Sequence, residues 1–480
     1  MRIAFAKIQD TAKNVVLTAV QYPVNIGYLA AVCLEAEHQV EMWDFCVESF
    51  TTEYISQKIN KFDPEIIGIS CVTPAIYFGH QLATIAKQGK RDIFIIVGGV
   101  HVSALPLETL REFPNFDIGV IKEGEETILE ILSELEMKNY PLGIKGTVYR
   151  ENGGIKLAPA RPEMPDVNSL PFPNRDLVPQ SLYKNKHSVR GISRKIWNVL
   201  EVDSSRGCPY SCTFCGVEVT HGRGVRFRTP ENVLKEIEIC REKYDTNFIV
   251  FNDSTFTLKK ERVAELVSAL PGMGIEGYHV NAHINSIDNE ILNLLAKTGC
   301  KKLAFGIESG SDKTLKNIRK SFTREKAITV FESARKSGIP TVEGYFILGA
   351  DIYETVDDFK QTESLIKIIR PDILGLGIIT PYPGTEQYDE MKKLGFLNNV
   401  KYDQLQIFSD TPPNWRVVNF NADELVQKRN SILKSYIWSP RYVLNRIMKI
   451  RSFGELIYYM KMAKSFFYIV VKYNKYKNEN

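Results

Sequence analysis

Short apolar runs recur along this chain of 480 residues, and a stretch long enough for one helix follows each of them. In the N-terminal part the runs are 3–6, 40–45, 66–70, 93–97 and 118–121. Six more lie near 198–205, 247–253, 276–284, 302–309, 340–348 and 372–380. Strands that alternate with helices form parallel sheets, so the pattern predicts an α/β protein. We predict a doubly wound, Rossmann-like N-terminal sheet followed by a partial (β/α)6, TIM-like barrel.

Two other segments complete the predicted domain organisation. A small hairpin is expected at 146–158, because the asparagine and glycines at 152–154 suit a tight turn. Prolines then crowd the chain at 159, 162, 165, 171, 173 and 179, which disfavours regular helix or sheet and indicates an ordered linker. The predicted divisions are the N-terminal domain 1–140, the linker 141–195, the barrel 196–400 and a helical, basic C-terminal region 401–480.

Positive charge is concentrated at the C-terminal end of the chain. Residues 436–480 contain nine Lys or Arg and two acidic residues, a net +7, whereas the whole chain carries only +4. Apolar and basic residues interleave there in a helix that Ser439 and Pro440 would open, and a second helix is expected from about Phe453. Such a tail could lie on an anionic membrane surface, or it could pack on the barrel with its lysines in water.

Two other roles for the tail are not expected. Its longest uncharged run, 465–471, is far shorter than the roughly 20 residues that span a bilayer. A nucleic-acid partner is not expected either, because the basic residues are confined to this tail and no recognition module accompanies them. The start of the chain runs straight into a strand pattern without an apolar export segment, so we expect a cytoplasmic protein, peripheral to the membrane if the tail binds lipid.

Three cysteines stand close together just after the sixth apolar run. Cys208, Cys212 and Cys215 have the spacing C-x3-C-x2-C. Three thiolates this close can hold three irons of an iron–sulfur cluster and leave a fourth iron without a protein ligand. The alternatives are a zinc site with His221 as fourth ligand, and three unrelated buried cysteines. The remaining cysteines have apolar neighbours and are expected to be small buried hydrophobes: Cys33, Cys46, Cys71, Cys240 and Cys300.

The cysteine loop resembles the cluster-binding motif of the radical S-adenosylmethionine (SAM) superfamily, and Phe214 supplies the aromatic residue before the last cysteine. The resemblance implies that Cys208, Cys212 and Cys215 are the catalytic, metal-binding residues of a [4Fe-4S] cluster whose free iron is chelated by SAM. In that family an electron from the cluster cleaves SAM to a 5′-deoxyadenosyl radical. An external electron donor such as flavodoxin or ferredoxin is therefore an implied partner.

Polar side chains fall at the carboxyl ends of the predicted barrel strands, where βα barrels gather their working groups. Asp253 ends the second of these strands, and His279, Asn281 and His283 share one face of the third. Helix caps and strand-end turns use the same residue types, so each of these residues has a structural alternative.

Two barrel segments resemble SAM-binding segments of the family. The run 306–309, Gly-Ile-Glu-Ser, resembles the one whose carboxylate reaches a hydroxyl of the SAM ribose, and 344–349 resembles the strand beneath the adenine. The turn that follows, before Glu354, looks one residue longer than the family pattern and lacks its proline and glycine. The predicted SAM-binding residues are Phe214, Asp253, Asn281, Glu308, Ser309 and Gly344.

The N-terminal strands end in small residues and glycines. Ser70 and Thr73 offer hydroxyls, and Gly98 and Gly99 let the backbone approach a bulky ligand, although the glycines could simply turn the chain out of a strand. The order of these segments is similar to the cobalamin-binding domain found ahead of many radical SAM cores, in which some members do not use the cofactor. The implied cobalamin contacts are Ser70, Thr73, Gly98, Gly99, His101 and Glu125.

The expected cobalamin site lacks a histidine ligand to cobalt. Other cobalamin domains supply one from an Asp-x-His-x-x-Gly motif, and this sequence contains no such motif. His101 is therefore expected to be a loop residue near the nucleotide tail of the cofactor.

Together these resemblances imply a cobalamin-dependent radical SAM enzyme that methylates an unactivated carbon of a small or lipid-like substrate. In the family mechanism the adenosyl radical abstracts hydrogen, the carbon radical takes methyl from methylcobalamin, and a second SAM re-methylates the cobalt. The arrangement, tail included, is also similar to members that modify hopanoid lipids. The alternatives are a radical cyclase or rearrangement enzyme without methyl transfer, and a non-catalytic cobalamin- or redox-sensing protein.

Overall fold

The computed structural model describes residues 1–8, 20–90, 92–183, 198–406 and 414–450, together with Leu456 and Met460. Two large sheets organise this part of the chain, one of seven strands and one of six, and a two-stranded ribbon accompanies them. This confirms the predicted α/β class with two successive sheets.

The first sheet is doubly wound. Its elements are β1 (Arg2–Lys7), α1 (Val24–Glu35), β2 (Gln39–Asp44), α2 (Thr52–Phe62), β3 (Ile66–Ser70), α3 (Ile76–Gly89), β4 (Phe94–Gly98), α4 (Val100–Ala104), α5 (Pro106–Glu112), β5 (Ile118–Val120), α6 (Glu125–Glu136), β6 (Thr147–Glu151) and β7 (Gly154–Leu157). The strand order is β2-β1-β3-β4-β5-β6-β7, with β1 to β5 parallel. The order reverses between β1 and β3, and ligands of such folds bind outside the carboxyl ends of the strands at that point.

Apolar side chains cover both faces of this sheet. On one face Phe5 packs in a core with Ile26 of α1 and Ile131 of α6. On the other, Ile67 packs in a core with residues of α2 and α3, among them Leu82. Strands buried on both faces read as continuous apolar runs, which is why the sequence pattern located them to within a residue or two.

The predicted hairpin lies in the first sheet and not in the linker. β6 pairs antiparallel with β5, where Tyr149 lies opposite Ile118, so the sheet extends to Leu157. Arg150 helps to anchor the hairpin by donating a 3.2 Å hydrogen bond to the carbonyl of Phe116. The turn residues predict a hairpin but do not say which sheet edge accepts it.

The second sheet is the open barrel. Its elements, with those of the ribbon, are β8 (Val199–Val202), β9 (Ser205–Arg206), α7 (Val217–His221), β10 (Arg226–Phe227), α8 (Pro230–Tyr244), β11 (Phe248–Phe251), α9 (Lys260–Ala269), β12 (Gly277–Ala282), α10 (Asn289–Lys297), β13 (Cys300–Glu308), α11 (Asp312–Asn317), α12 (Arg324–Lys336), β14 (Thr341–Leu348), α13 (Val356–Ile369), β15 (Ile373–Ile378) and α14 (Glu386–Lys393). The parallel strands run in the order β15-β14-β13-β12-β11-β8, as predicted for six βα units.

Alternation along the strands separates the barrel core from its lumen. Leu303, Phe305 and Ile307 of β13 join the apolar core beneath the helices. The residues between them, Ala304 and Gly306, therefore face the lumen. The helices start where the sequence indicates: Thr229 caps α8 by accepting a hydrogen bond from the amide of Asn232.

The linker contacts both domains. From Ala158 to Tyr183, the part after the hairpin that the structure describes, its regular structure is limited to single 3-10 turns, consistent with its prolines. Buried Arg175 lies 2.8 Å from Glu236 of α8, and Tyr183 donates a 2.7 Å hydrogen bond to Asp44 at the end of β2. Residues 184–197 lie outside the described part of the chain.

The C-terminal region contains α15 (Ala422–Ile437) and α16 (Pro440–Lys449). Ser439 caps α16, as the sequence predicts, by accepting a hydrogen bond from the amide of Tyr442. The second predicted tail helix lies outside the described residues except for Leu456 and Met460. No helix in the described ranges has the length and apolar character needed to cross a bilayer.

Candidate active site

The three predicted cluster ligands lie in one loop at the carboxyl end of β8. We call residues 207–225 the cluster loop; β9 and β10 pair at its base. Cys208, Cys212 and Cys215 are half-buried, and burial raises the pKa of Cys212 to about 11. The loop turns between them, where the amide of Cys215 donates a 3.1 Å hydrogen bond to the carbonyl of Cys212, so the structure keeps the three cysteines close together in one loop.

The candidate fourth ligand of a zinc site is engaged elsewhere. His221 places its Nδ1 3.2 Å from a carboxylate oxygen of Glu123 in the N-terminal domain. Among the described residues, no group of three or more His, Cys, Asp or Glu side chains has the arrangement that a single metal ion requires.

Neighbouring elements support the cluster loop. The ring of Tyr210 stacks on His283, with centroids 3.7 Å apart and planes inclined by 17°. Burial, with Lys320 and Lys326 nearby, lowers the pKa of His283 to about 3, so this ring is neutral. The carbonyl of Thr213 accepts a 3.2 Å hydrogen bond from the first turn of α14.

Glu308 ends β13 in a strained backbone conformation. Its φ of +69° is one that residues with bulky side chains rarely adopt, and the pairing with β14 slips between Gly306 and Glu308. Its Oε1 lies 3.0 Å from Nζ of Lys320, and both side chains are buried. Gly306 makes room for this pair, because a Cβ there would lie 2.6 Å from the same oxygen. Strain of this kind is characteristic of binding sites.

Lys320 is a site residue that the sequence analysis missed. Its Nζ donates a 3.1 Å hydrogen bond to the carbonyl of Gly306 and lies 5.8 Å from the centroid of the Phe214 ring. Burial disfavours its charge, but Glu308 and the thiol of Cys212 outweigh burial and raise its pKa. Lys320 therefore links Glu308, the side chain predicted to contact SAM, with the cluster loop. Its sequence context, a polar segment rich in Lys and Arg, looks like ordinary surface.

Asp253 has a structural role in the base of the cluster loop. One carboxylate oxygen accepts hydrogen bonds from the amides of Ser204 and Ser205, at 2.9 and 2.5 Å, and the other accepts from the Ser204 hydroxyl. Burial raises its pKa to about 6. Asn281, also predicted to contact SAM, donates a 3.4 Å hydrogen bond to the backbone carbonyl of Asp253.

Two other predicted SAM contacts, Ser309 and Gly344, lie against neighbouring protein groups. Ser309 donates a 3.3 Å hydrogen bond to Glu354, which also accepts a 2.6 Å bond from the amide of Gly349 and so closes the lengthened turn. Burial raises the pKa of Glu354 to about 8. A Cβ at Gly344 would lie 3.3 Å from the ring of Phe331, so this glycine faces the helix layer.

Buried polar and charged residues also lie within the barrel strands. Lys302 of β13 and Glu343 of β14 form a buried ion pair at 2.5 Å. Burial raises the pKa of Glu201 to about 7, and burial together with Lys302 lowers the pKa of His279. The sequence analysis singled out His279 but missed the other three, although charged residues inside apolar strands are a usable signal.

At the carboxyl edge of the N-terminal sheet, the end of β3 and the turn that follows it present uncharged groups. The hydroxyl of Ser70 accepts a 3.1 Å hydrogen bond from Asn25 at the start of α1. Thr73 is buried and opens a 3-10 turn, whereas Val72 beside it is 47% exposed. An exposed apolar side chain at the strand-order reversal leaves room for a ligand with an apolar face.

The two glycines that are predicted to contact cobalamin differ in whether a side chain would fit at their position. Gly99 has a φ of +99°, and a Cβ there would lie 2.5 Å from the carbonyl oxygen of Cys71. Gly98 has ordinary contacts, because a Cβ there would lie 3.7 Å from the nearest atom. Only Gly99 is therefore required by the backbone itself.

His101 and Glu125, the remaining predicted cobalamin contacts, interact with other protein groups. His101 lies in the first turn of α4 and not in a loop; it is fully buried, and its ring packs edge-on against Tyr402 with centroids 4.7 Å apart. Burial lowers its pKa to about 4. Glu125 starts α6, and its carboxylate lies 2.6 Å from Arg206 beside the cluster loop.

Family models match the chain in two places. The model of the radical SAM superfamily matches residues 202–366, which include the cluster loop and the strand ends up to β14. The model of the B12 binding domain matches residues 13–132, which span most of the first sheet. The two matches follow the order of the two sheets.

Relatives extend the similarity to most of the chain. A protein of Pyrococcus horikoshii named as an uncharacterized methyltransferase is 30% identical over 432 residues, 90% of this chain and 91% of that protein. The anaerobic magnesium-protoporphyrin IX monomethyl ester cyclase of Rubrivivax gelatinosus is 25% identical over 382 residues, 77% of this chain and 66% of that protein.

A solved structure has the same arrangement of domains. The radical S-adenosylmethionine methyltransferase TsrM from Kitasatospora setae, with cobalamin and a [4Fe-4S] cluster bound, matches with a TM-score of 0.69 at 15% identity. The match covers 92% of this chain and 89% of that one. At this identity it concerns the fold, and it supports the predicted pairing of a Rossmann-like domain with a partial barrel.

Proposed function

Because the chain belongs to the radical SAM superfamily and carries a B12-binding domain ahead of its barrel, we propose that it is a cobalamin-dependent radical SAM enzyme that methylates an unactivated carbon. One observation carries the proposal: three thiols and the buried Glu308–Lys320 pair meet at the carboxyl edge of the barrel. The relative of similar length that is named as a methyltransferase supports methyl transfer.

The site suits the groups that the family uses. Cys208, Cys212 and Cys215 would hold a [4Fe-4S] cluster with one iron left open, since thiolates are the usual ligands of such clusters. SAM carries a carboxylate, an ammonium group and ribose hydroxyls, and Lys320 and Glu308 offer complementary charges beside the cysteines. When bound, the cluster supplies the electron that cleaves SAM, and cobalamin supplies the methyl group.

The N-terminal edge suits cobalamin without a histidine ligand. Ser70, Val72 and Gly99 beside the strand-order reversal are uncharged, and exposed Val72 offers an apolar contact to the ligand. His101 is fully buried against Tyr402, which supports the expectation that it does not bind cobalt.

The protein's own contribution is to hold charge and exclude water. The Glu308–Lys320 pair keeps both charges in place within a buried region, and the Tyr210–His283 stack and Asp253 fix the loop that carries the cysteines. A reactive carbon radical needs such a closed, ordered environment, and the hard chemistry belongs to the cofactors.

The test is anaerobic purification with cluster reconstitution, followed by reaction with SAM and dithionite. We expect an iron-containing, brown protein that forms 5′-deoxyadenosine, retains cobalamin and releases S-adenosylhomocysteine once substrate is added. Cys215→Ser should abolish deoxyadenosine formation, whereas Cys46→Ser, a change at another half-buried cysteine, should leave it intact. A colourless protein with tightly bound zinc would refute the proposal.

A radical cyclase is the second candidate, because the chain is 25% identical to the Rubrivivax gelatinosus cyclase. A cyclase would also form 5′-deoxyadenosine and could carry cobalamin. It would not transfer a methyl group from SAM to substrate. Release of S-adenosylhomocysteine with a product heavier by one methylene unit separates the two functions.

We further propose that the substrate is small and lipid-like and is bound at a membrane surface. The proposed electron donor is flavodoxin or ferredoxin. Leu444, Ile447 and Met448 of α16 are all more than half exposed, as is nearby Trp438. An exposed apolar helix face within a basic tail suits an anionic bilayer. We expect flotation with phosphatidylglycerol vesicles, weaker flotation with phosphatidylcholine, and loss of binding in Leu444→Glu with Met448→Glu. Equal flotation with both lipids would contradict an electrostatic contribution.

A further inference from the structure

The cluster loop closes on itself at a narrow base. We call the β9–β10 pair its neck, in which Arg206 lies directly opposite Arg226. The next residues also meet closely, because a Cβ at Gly207 would lie 2.1 Å from the carbonyl oxygen of Gly224. The loop with the three cysteines therefore depends on two arginines that face each other.

A carboxylate of the N-terminal domain joins these arginines. Glu123, just beyond β5, lies 2.6 and 2.9 Å from two nitrogens of Arg226 and 3.3 Å from Arg206. Its neighbour Glu125 lies 2.6 Å from Arg206. The side chains of Arg206, Arg226 and Glu123 are 8%, 11% and 12% exposed, so water screens these charges only weakly.

The neck requires this carboxylate for a physical reason. Two like charges directly opposite each other on paired strands destabilise the pairing. Burial strengthens the repulsion, and a buried charge left without its partner is strongly destabilising. Glu123 offsets both arginines at once at 2.6 to 3.3 Å, whereas Glu125 reaches only Arg206 and Glu163 lies 3.9 Å from Arg226 alone.

We propose that Glu123 is a positioning residue: the N-terminal domain, through this carboxylate, holds the neck of the cluster loop closed and so keeps the three cysteines together. Cluster retention then depends on docking of the cobalamin-binding domain onto the barrel. The consequence for iron rests on the proposed function; closure of the loop does not.

The first test uses the cofactor-free full chain. Arg223 of the cluster loop is 52% exposed, so trypsin cleavage after it, followed by mass spectrometry, reports opening of the neck. Glu123→Gln should speed this cleavage about tenfold, since a buried ion pair is broken. The control is Glu126→Gln, which removes a half-exposed carboxylate 3.2 Å from Arg161 and should leave the rate unchanged. An unchanged rate in Glu123→Gln would overturn the proposal.

The second test separates repulsion from misfolding. Adding Arg226→Gln to Glu123→Gln removes one of the two facing charges, so cleavage after Arg223 should slow again toward the wild-type rate. A double variant cleaved faster than the single one would overturn the proposal, because it would indicate general loss of structure. After reconstitution, Glu123→Gln should lose iron to a chelator about tenfold faster than Glu126→Gln, in proportion to the loop opening. If no variant binds iron, the proteolysis result still decides whether Glu123 closes the loop.

Discussion

The carboxyl edges of the two sheets are built from different kinds of groups. At the N-terminal edge, β3, β4 and the turns that follow them present a hydroxyl at Ser70, an apolar side chain at Val72 and a glycine backbone at Gly99, whereas charged Lys7 at the end of β1 donates to the carbonyl of Gln21. The barrel edge presents the buried pair of Glu308 and Lys320. Both edges lie where α/β folds bind ligands, so the fold alone does not explain the difference.

The difference follows the chemistry of the ligands proposed for each edge. A large ligand that makes mostly apolar and backbone contacts is recognised by shape, for which glycines and small side chains suffice. A ligand with a carboxylate and an ammonium group needs opposite charges held in fixed positions, and burial makes those charges effective. Strain accordingly appears at Glu308, where a residue with a bulky side chain has a positive φ, whereas Gly99 adopts its positive φ without strain and leaves no room for a Cβ beside Cys71.

The largest effect is expected from Lys320→Met, which removes the cation of the barrel edge. It leaves the buried Glu308 carboxylate unpaired, a loss of about 3–5 kcal/mol, and takes away the proposed partner of the SAM carboxylate. SAM affinity, measured by equilibrium dialysis of the reconstituted protein, should fall by roughly 100-fold or more. Lys313→Met, at a 61% exposed lysine, is the control and should change affinity less than twofold.

A second variant distinguishes binding from folding. Lys320→Met combined with Glu308→Gln removes both buried charges, so stability should recover while SAM affinity stays low. Recovery of SAM affinity in this double variant would mean that the pair serves the fold alone, and the contrast between the two edges would then have no functional meaning.

An intermediate effect is expected from Gly99→Ala at the N-terminal edge. The new Cβ would lie 2.5 Å from the carbonyl oxygen of Cys71, at a φ of +99°. We expect a loss of about 2–3 kcal/mol in stability, measured by urea denaturation, and loss of cobalamin binding. Gly143→Ala measures the cost of the positive φ alone, since φ there is +68° and no atom lies within 4 Å of the added Cβ. This variant should lose only about 1–2 kcal/mol of stability. Equal losses in both variants would contradict a steric role for Cys71.

The fold was predictable because its signals are local. Runs such as 66–70 are buried on both faces, so their apolar composition identifies them as strands. The pair Thr229-Pro230 likewise predicts the start of α8. The cysteine spacing likewise located the cluster loop. The sheet that accepts the hairpin was not predictable, because pairing with β5 is a long-range contact that the turn residues do not encode.

The sequence predicted where the residues of the candidate site lie better than it predicted what each of them does. Glu308 ends β13 and Asp253 follows β11 by two residues. Only Glu308 pairs with a cation beside the cysteines, whereas Asp253 binds the amides of Ser204 and Ser205. Nothing local distinguishes the two carboxylates. Lys320 was missed for the same reason, since only the folded chain shows that this lysine is buried against Gly306.

The smallest effect is expected from a change of pH, which alters stability through protonation of His101 near the N-terminal edge. Its pKa is about 4 in the folded protein because of burial, against an ordinary value of about 6.5 in the unfolded chain. The unfolded chain therefore binds the proton first, and stability is lost as pH falls through 6.5 toward 4. Between pH 7.5 and 5.5 this residue should cost about 1 kcal/mol, measured by urea denaturation of the cofactor-free chain.

His101→Phe isolates this contribution. Phenylalanine can keep the edge-on contact with Tyr402, and the substitution removes no hydrogen bond, because neither ring nitrogen of His101 has a partner among the described residues. The variant should match the wild type at pH 7.5 and lose about 1 kcal/mol less at pH 5.5. The same pH dependence in both proteins would mean that the proton is taken up elsewhere. Other histidines whose pKa burial lowers, His279 and His283 of the barrel, would then be the place to look, because a buried carboxyl with a raised pKa, such as Asp253, would make acidification stabilising.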